Sequence, residues 1–302
     1  MPPWLWFVGV TTGRSLIHQA FPLWMRAYER DIRLKGRDVP LGSPPAAYRT
    51  LVHELASDGE VAGAVITAHK VALFRAARRL FLSLDELAVE CGEVNAIRSG
   101  PDGLEGFARD PVSVGWEAER IWPSGDHVVC LGAGGTAIAL GRHLLGRSRP
   151  PARIVFTDQA AQAAAHLRAV LEPRAAARDV DLAVHVGPGP WDEIIAASPP
   201  GALVVNATGL GKDRPGAPVS ADARYPIGSV VWELNYRGDL AMLRQAHNQA
   251  CDRDLRVHDG WGLFCNGWAA ALGPILGLPD EAVTGLRFAA LAAHLKPRAP
   301  TT

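Results

Sequence analysis

The feature that most constrains the fold is a glycine-rich turn between an apolar run and a helical pattern. The run His127–Leu131 is mostly apolar, as strands buried in a parallel sheet are. The turn that follows is Gly132-Ala133-Gly134-Gly135-Thr136-Ala137, which matches G-x-G-x-x-[G/A]. Gly132 permits a tight turn, Gly134 lets the backbone approach a pyrophosphate, and Ala137 allows the helix to pack closely on the strand. Because a helix N-terminus also attracts phosphates, these residues predict a dinucleotide-binding site, with an unliganded glycine turn as the alternative.

The end of the next strand indicates which nicotinamide cofactor is bound. A strand is expected at residues 152–156, and Thr157-Asp158 follows it. A carboxylate at this place accepts hydrogen bonds from the ribose 2′-hydroxyl and repels a 2′-phosphate. Asp158 therefore favours NAD over NADP, and capping of the following helix is its alternative role.

Strands and helices alternate along the chain, which predicts an α/β protein with mostly parallel sheets. With 302 residues, the chain is long enough for two domains. Strands are expected at residues 6–10, 32–39, 63–67, 127–131, 152–156, 182–186, 202–205 and 230–234. Helices are expected from about residue 16, at 46–57, at 70–80, after the glycine turn and from about 260.

Charge and cysteine content exclude several classes of protein. Basic and acidic residues balance at 31 each, whereas nucleic-acid binders usually carry a basic excess, so we expect no nucleic-acid partner. The four cysteines lack zinc-ligand spacing, so no metal site is expected. The apolar N-terminus lacks the features of a signal peptide, and the apolar segment 262–278 is too short for a membrane span. We expect a cytoplasmic protein, monomeric or homodimeric, with no membrane association.

Seven segments resemble, in the same order, motifs of the shikimate dehydrogenase family. They are Gly63-Ala-Val-Ile-Thr67-Ala-His-Lys70 (family N-V-T-[IV]-P-H-K), Gly92-Glu-Val-Asn95-Ala-Ile (G-A-V-N-T-[IL]), Leu104-Glu-Gly-Phe-Ala-Arg-Asp110 (L-x-G-Y-N-T-D), the glycine turn (G-A-G-G-[AT]-A), Val205-Asn206-Ala-Thr208-Gly209-Leu-Gly (I-N-A-T-x-L-G), Trp232-Glu-Leu-Asn-Tyr236 (D-x-x-Y) and Asp259-Gly260-Trp-Gly (D-G-x-G-M-L). Each motif alone is weak, but seven in order make a specific resemblance over nearly the whole chain.

The resemblance implies two domains with catalysis in the cleft between them. A substrate-binding, catalytic domain would comprise residues 1–115 and 258–302, and a Rossmann-type domain that binds NAD or NADP would comprise residues 116–257. Lys70 and Asp110 fall on the family's catalytic pair, Asn95 on a substrate-binding asparagine and Tyr236 on a tyrosine near the substrate. The implied cofactor contacts outside the glycine turn and Asp158 are Asn206, Thr208, Gly209 and Gly260.

The chemistry of the implied pair suits alcohol oxidation. Oxidising a secondary alcohol sends a hydride to the nicotinamide and a proton to a base, and a lysine beside a carboxylate can share that proton. Burial lowers the pKa of a lysine and a neighbouring carboxylate raises it, and the sequence leaves the outcome open. The alternatives are a solvated Lys70 at a helix start and a helix-capping Asp110.

The departures from the family motifs lie on the substrate side. Where the family has S-x-S-P, this chain has Thr12 and Arg14 on the two serines; an arginine can clamp a carboxylate or stand at the surface. Gly267 replaces the family's substrate-binding glutamine, with Asn266 beside it. The predicted substrate contacts are Thr12, Arg14, Thr67, Asn95, Tyr236 and Asn266. We expect a hydroxy- or keto-cyclohexane acid of the shikimate or quinate type as substrate, in aromatic amino acid biosynthesis or in secondary metabolism.

Two other functions stay open. A methylenetetrahydrofolate dehydrogenase-like enzyme would share the two-domain plan and a catalytic lysine, but the Lys70–Asp110 pair and the Asn95 segment argue against it. A non-catalytic NAD-binding regulator would bind cofactor without turnover, and the altered substrate loop leaves room for it.

Overall fold

A computed structural model describes residues 2–212 and 214–297 of the chain. The chain divides into two compact units. Unit 1 comprises Met1–Ser113 and Cys265–Lys296, and unit 2 is built on Val114–Phe264. Both boundaries fall inside helices, so each unit is continued covalently into the other.

Strands and helices alternate along the described chain. The strands are β1 (Trp4–Gly9), β2 (Arg33–Asp38), β3 (Val61–Ile66), β4 (Ser83–Leu84), β5 (Ala96–Gly100), β6 (Gly103–Phe107), β7 (His127–Leu131), β8 (Arg153–Asp158), β9 (Asp181–Val186), β10 (Leu203–Asn206), β11 (Val230–Glu233) and β12 (Arg256–His258). The helices are α1 (Ile17–Ala27), α2 (Pro45–Ser57), α3 (Lys70–Ala77), α4 (Glu86–Cys91), α5 (Asp110–Ile121), α6 (Gly135–Gly146), α7 (Ala161–Ala177), α8 (Asp192–Ala196), α9 (Ala241–Arg253), α10 (Trp261–Leu276) and α11 (Gly285–Leu291). This succession confirms the α/β class that the sequence predicts.

Unit 1 contains a mixed sheet with the strand order β2-β1-β3-β5-β6-β4. The first two pairings, β1 with β2 and β1 with β3, are parallel. The sheet is mostly parallel, as the sequence predicts, and the exception is β5, which runs antiparallel to both β3 and β6. The reason is the short connection Pro101-Asp102, because two strands joined by two residues form a hairpin and must run in opposite directions.

Unit 2 contains a fully parallel sheet with the order β12-β11-β10-β7-β8-β9. β7 lies between β8, which follows it in the chain, and β10, which comes later. The winding direction therefore reverses between β7 and β10. In open α/β sheets, ligands bind at such a reversal, outside the carboxyl ends of the strands. The glycine turn follows β7 and so lies at this edge.

Each unit has its own apolar core. In unit 1 the sheet packs on α2 and α3, and the buried side chains include Trp6, Val8, Leu51, Leu55, Ile66 and Leu73. The core of unit 2 lies against the central strands and includes Val129, Leu131, Val204, Tyr225, Val231 and Met242. Burying one large apolar side chain contributes about 1.5–3 kcal/mol, so each core holds its strand ends in place.

Neither membrane spans nor metal clusters were found in the part of the chain that the structure describes. None of its helices has the length and the apolar character that crossing a bilayer requires. Within the same residues, His, Cys, Asp and Glu side chains form no group of three or more that could hold a metal ion.

Candidate functional site

In unit 1, Lys70, Asn95 and Asp110 form one hydrogen-bonded group, which we call the Lys70–Asp110 site. The Lys70 Nζ and the Asn95 Nδ2 donate to the two carboxylate oxygens of Asp110. The Asn95 Oδ1 accepts a hydrogen bond of 2.6 Å from the backbone N–H of Arg109. The side chains of Lys70 and Asp110 are 14% and 16% exposed, so the ion pair is largely withdrawn from water. The structure thus brings together three of the residues that the sequence singled out.

The sheet of unit 1 explains why these three residues meet. Lys70 begins α3 just after β3, and Asp110 begins α5 just after β6. Asn95 immediately precedes β5. Because β5 is antiparallel to its two neighbours, its start lies beside the ends of β3 and β6, and Ala96 pairs with both Val65 and Phe107. The β5–β6 hairpin, which the sequence analysis missed, therefore brings Asn95 next to Lys70 and Asp110.

The charges around Lys70 favour its protonated form. Burial lowers the pKa of Lys70, but the Asp110 carboxylate, to which Lys70 also donates, and the Glu93 carboxyl when it is ionised outweigh burial and raise the pKa above the ordinary value. A lysine at the N-terminus of a helix is otherwise unfavourable, and the ion pair offsets that. In this state Lys70 is a proton donor held against an acceptor carboxylate.

A second polar group of unit 1 surrounds Thr12. The Thr12 backbone N–H and Oγ1 both donate to the Asp38 Oδ1, at 2.8 and 2.5 Å. Thr67 Oγ1 donates to the carbonyl of Val8 at 3.1 Å, and a Cβ on Gly9 would meet both threonine side chains. Thr12 and Thr67 therefore lie together at the end of β1. Arg14 ends the same short 3-10 helix as Thr12 and is exposed.

The remaining predicted substrate contacts lie elsewhere. Asn266, in unit 1, is 7% exposed and occupies the space that a side chain on Gly285 of α11 would need. Tyr236, in unit 2, is 9% exposed and packs on Phe264, with 4.6 Å between ring centroids. Lys212 Nζ lies 5.7 Å from the centre of the Tyr236 ring. Their roles toward a substrate stay predictions.

In unit 2, the glycine turn has the geometry that a dinucleotide phosphate needs. Gly132 has φ +113°, and a Cβ there would come within 2.8 Å of the Ala207 backbone, so glycine is required. A Cβ on Gly134 would meet nothing within 4 Å. α6 begins at Gly135, and its N-cap residue Gly134 has no side chain that could cap the helix. Ala137 is fully buried where α6 meets the sheet. The turn therefore leaves open space in front of unsatisfied backbone N–H groups, which fits a pyrophosphate.

Asp158 connects the glycine turn with the start of α7. Its Oδ2 accepts a hydrogen bond from Ala133 N and its Oδ1 one from Ala160 N, both 2.8 Å long. The contact with Ala160 agrees with the alternative role at the start of the following helix. The contact with Ala133 places the carboxylate beside the turn. At this place a carboxylate can accept a hydrogen bond from a ribose hydroxyl of a dinucleotide.

The ends of β10 and β11 carry a buried polar network. Asn206 Nδ2 donates to Glu233 Oε2 at 2.6 Å, and its Oδ1 accepts from the backbone and the hydroxyl of Thr208. The Glu233 Oε1 accepts from the backbone and side-chain amides of Asn235. Burial raises the pKa of Glu233 to about 7, although the hydrogen bonds from Asn235 and Asn206 oppose the rise. The network fixes the Asn206–Gly209 turn, where Gly209 has φ +72°.

Gly260 contacts the same region. Its N–H donates to the Asn235 carbonyl at 3.1 Å, and a Cβ on it would overlap the backbone of Leu234. Hydrogen bonds within unit 2 therefore connect the ends of β10 and β11 with Gly260, the residue before α10.

Sequence reasoning missed three acidic residues of these groups: Glu93, Asp38 and Glu233. Glu93 could have been found, because it stands where the family motif G-A-V-N has alanine. Glu233 could have been found at the acidic position of the D-x-x-Y motif. Asp38 has no such signal, since its contact with Thr12 depends on the pairing of β1 and β2.

Comparison with protein-family models gave no match for this chain. Curated proteins do match. The chain is 30% identical over 280 residues to a protein of Methylobacterium radiotolerans named shikimate dehydrogenase (NADP(+)), covering 87% of this chain and 90% of that protein. It is 29% identical over 266 residues to a protein of the same name from Rhodopseudomonas palustris, covering 83% and 84%.

Solved structures share the fold over nearly the whole chain. A quinate dehydrogenase from Corynebacterium glutamicum in complex with NAD has a TM-score of 0.75 and 21% identity, with 97% of this chain and 99% of that chain covered. A Thermus thermophilus shikimate 5-dehydrogenase in complex with shikimate has a TM-score of 0.70 and 19% identity, covering 98% and 99%. A 5-ketofructose reductase of a Gluconobacter species reaches the same four values. The two-unit fold is therefore shared by proteins whose named substrates differ.

Proposed function

The chain belongs to the shikimate dehydrogenase family, and we propose that it interconverts a secondary alcohol and a ketone on a cyclohexane-type acid of the shikimate or quinate kind. The observation that carries the proposal is the Lys70–Asp110 ion pair, which a buried asparagine orients at the meeting point of three strands. An ammonium group fixed in this way is suited to move one proton to or from a substrate oxygen.

Lys70 acts as the proton-transfer group and Asp110 as its partner. In reduction, Lys70 donates a proton to the oxygen of the ketone, and Asp110, which Asn95 orients by a hydrogen bond, holds the amine in place. In oxidation, the amine accepts the hydroxyl proton by the reverse path. The raised pKa of Lys70 means that the resting protein carries the proton that reduction consumes. When bound, a nicotinamide cofactor supplies the complementary hydride transfer.

Unit 2 binds that cofactor in our proposal. The open space at Gly134 and the uncapped start of α6 support a pyrophosphate there. Asp158 supports NAD, because a carboxylate repels a 2′-phosphate, and Thr157-Asp158-Gln159-Ala160-Ala161 offers no basic side chain for one. The named relatives carry NADP(+) in their names, so NADP stays the alternative. Asn206, Thr208, Gly209 and Gly260 complete the proposed cofactor region.

The substrate contacts differ from those of the family motifs. Thr12 and Thr67 present hydroxyls at the end of β1, and the exposed Arg14 offers a guanidinium that can bind a carboxylate. Asn95, Tyr236 and Asn266 are the other proposed contacts. We assign substrate binding to residues 1–115 with 258–302 and cofactor binding to residues 116–257. A site that no longer has the hydrogen-bonding groups for a substrate binds that substrate poorly. The ring acid therefore need not be shikimate.

The test is a turnover assay with purified protein, followed by absorbance of the reduced nicotinamide. Shikimate, quinate and their keto forms are each offered with NAD and with NADP. Turnover of a ring acid supports the proposal, and faster turnover with NAD supports the role of Asp158. Turnover with NADP alone would contradict the cofactor preference.

The same assay tests the regulator hypothesis. Cofactor binding without turnover of any ring acid, measured with both cofactors in both directions, would contradict the proposed substrate class. In that case Arg14→Ser, which restores the hydroxyl that the family has at this position, and Thr12→Ser, which restores the family's serine, are assayed with shikimate. Turnover gained by these variants would show that the loop, and not the Lys70–Asp110 site, excludes shikimate.

A further inference from the structure

Glu93 is a fully buried carboxyl group beside the Lys70–Asp110 site. It follows the left-handed Gly92 that ends α4, and its backbone N–H donates to the Ala88 carbonyl at 3.2 Å. The next residue, Val94, donates its N–H to the carbonyl of Lys70 at 3.3 Å, so the backbones of the two residues are adjacent. Glu93 is 0% exposed, whereas the corresponding family residue is alanine and carries no charge.

The Glu93 carboxyl is not neutralised by hydrogen bonds. Neither Oε1 nor Oε2 has a hydrogen-bond partner among the described residues. An ionised carboxylate in such a place carries a large desolvation cost, whereas the protonated acid does not. The burial and the missing donors therefore both favour the acid form.

The charged surroundings agree with this assignment. The groups that act on Glu93 are Lys70, Asp110 and Asp85. Burial raises the pKa of Glu93 to about 8; the Lys70 ammonium opposes the rise, and the two aspartates add to it. With Glu93 protonated, the Lys70 ammonium and the Asp110 carboxylate balance, so the buried group has no net charge.

We propose that Glu93 is a third proton-binding residue of the Lys70–Asp110 site, whose ionisation strengthens the hold of the site on the Lys70 proton and thereby slows proton donation to a ketone. The proposal deepens the dehydrogenase function and rests on it. Glu93 acts through Lys70, so it is a positioning residue and does not itself touch the substrate.

The proposal predicts a pH dependence with a definite sign. Below about pH 8 Glu93 is protonated, and Lys70 faces the single anion Asp110. Above that pH a second anion appears beside Lys70 and raises the lysine pKa further. A weaker acid donates its proton more slowly, so kcat for ketone reduction falls roughly 10-fold across this range.

The decisive variants are Glu93→Gln, which keeps the size without the ionisation, and Glu93→Ala, which restores the family residue. The control is Glu86→Gln, the same chemical change on the exposed face of α4. We expect both Glu93 variants to lose the fall in kcat near pH 8, with KM for the ketone little changed. Glu93→Asp is expected to retain a titrating step, and the control keeps the wild-type profile.

Infrared spectroscopy reads the proton on Glu93 without any substrate. The carbonyl band of a protonated carboxylic acid in the wild-type protein is expected to disappear as the pH rises through about 8. The wild-type minus Glu93→Gln difference spectrum should contain that band, and the Glu86→Gln difference spectrum should not. Absence of the band at pH 6 would overturn the proposal.

The two measurements separate this proposal from the proposed function. A kcat profile that Glu93→Gln leaves unchanged in an active dehydrogenase overturns the role of Glu93 and leaves the dehydrogenase intact. If no ring acid is turned over, the proposed function fails by itself, and the infrared titration still decides whether Glu93 holds the proton.

Discussion

The contribution of Glu233 to stability should fall as the pH rises, because Glu233 keeps a proton in the folded protein that it loses in the unfolded chain. The folded pKa is raised to about 7 from the ordinary 4.5, first by burial. Between these two values unfolding releases a proton, so the free energy of unfolding decreases with pH. A rise of about 2.5 in pKa corresponds to about 3 kcal/mol, with a slope of at most about 1.4 kcal/mol per pH unit. The contribution is present below pH 4.5 and is lost by about pH 7.

Glu93 adds a second contribution of the same sign. Its pKa is raised to about 8, so its share is lost between pH 4.5 and 8. The contributions of Glu93 and Glu233 therefore overlap below pH 7, and only that of Glu93 continues to about pH 8. Below pH 6.5 four histidines act in the opposite direction, because burial lowers the pKa values of His69, His127, His143 and His258. The comparison of wild type with Glu233→Gln isolates the share of Glu233. Glu233→Gln should reduce the slope below pH 7 and leave the remaining part unchanged.

The assay is urea unfolding from pH 5 to 9, followed by tryptophan fluorescence, with the urea dependence compared at each pH. The Gln side chain has one acceptor oxygen where the Glu233 carboxyl has two, so it cannot accept from both Asn206 and Asn235, and the variant also loses about 1 kcal/mol at every pH. The slope, and not the absolute stability, is the test. Glu193→Gln, on the exposed face of α8, is the matched control. A Glu233→Gln protein with the wild-type slope below pH 7 would refute the reasoning.

Three further predictions concern other parts of the two units. Gly132→Ala should cost about 1–3 kcal/mol in thermal unfolding and weaken cofactor binding in a fluorescence titration, because the new Cβ meets the Ala207 backbone at positive φ. Asp158→Asn should lower the ratio of NAD to NADP affinity, since it removes the negative charge beside the glycine turn that would repel a 2′-phosphate. Trp24→Ala should destabilise unit 1 by about 3–5 kcal/mol in urea unfolding, since its fully buried indole also donates to a carbonyl of α11.

The parts of the fold that follow from local patterns were predicted well. β7 is observed at His127–Leu131, the residues expected from their apolar run, and α6 begins inside the glycine turn. Both depend on neighbours in sequence. The β5–β6 hairpin was missed although Pro101-Asp102-Gly103 is a turn signal, because β5 is buried only at its first two residues, β6 alternates, and neither strand has a long apolar run.

In the candidate site, too, some features follow from sequence motifs and others depend on the fold. Lys70, Asn95 and Asp110 were identified by resemblance, and the structure confirms that they are in contact. The direction of the Lys70 pKa depends on how many carboxylates lie near it, and the sequence does not give that number. Glu93 is 23 positions from Lys70 in the chain, and only the fold brings the two residues together. The Asn206–Glu233 contact likewise joins residues 27 positions apart on neighbouring strands. Such long-range electrostatic networks are not encoded in any local pattern.

The most direct test of the assignment of Lys70 as the proton-transfer group compares two properties of Lys70→Met, its turnover and its affinity for the cofactor. A ring acid that the wild-type protein converts is assayed by nicotinamide absorbance, and cofactor affinity is measured separately by fluorescence. We predict that kcat falls by about 10²- to 10⁴-fold while cofactor affinity is unchanged, because Lys70 belongs to unit 1 and the glycine turn to unit 2. A variant that keeps the wild-type kcat would contradict the assignment of Lys70 as the proton-transfer group.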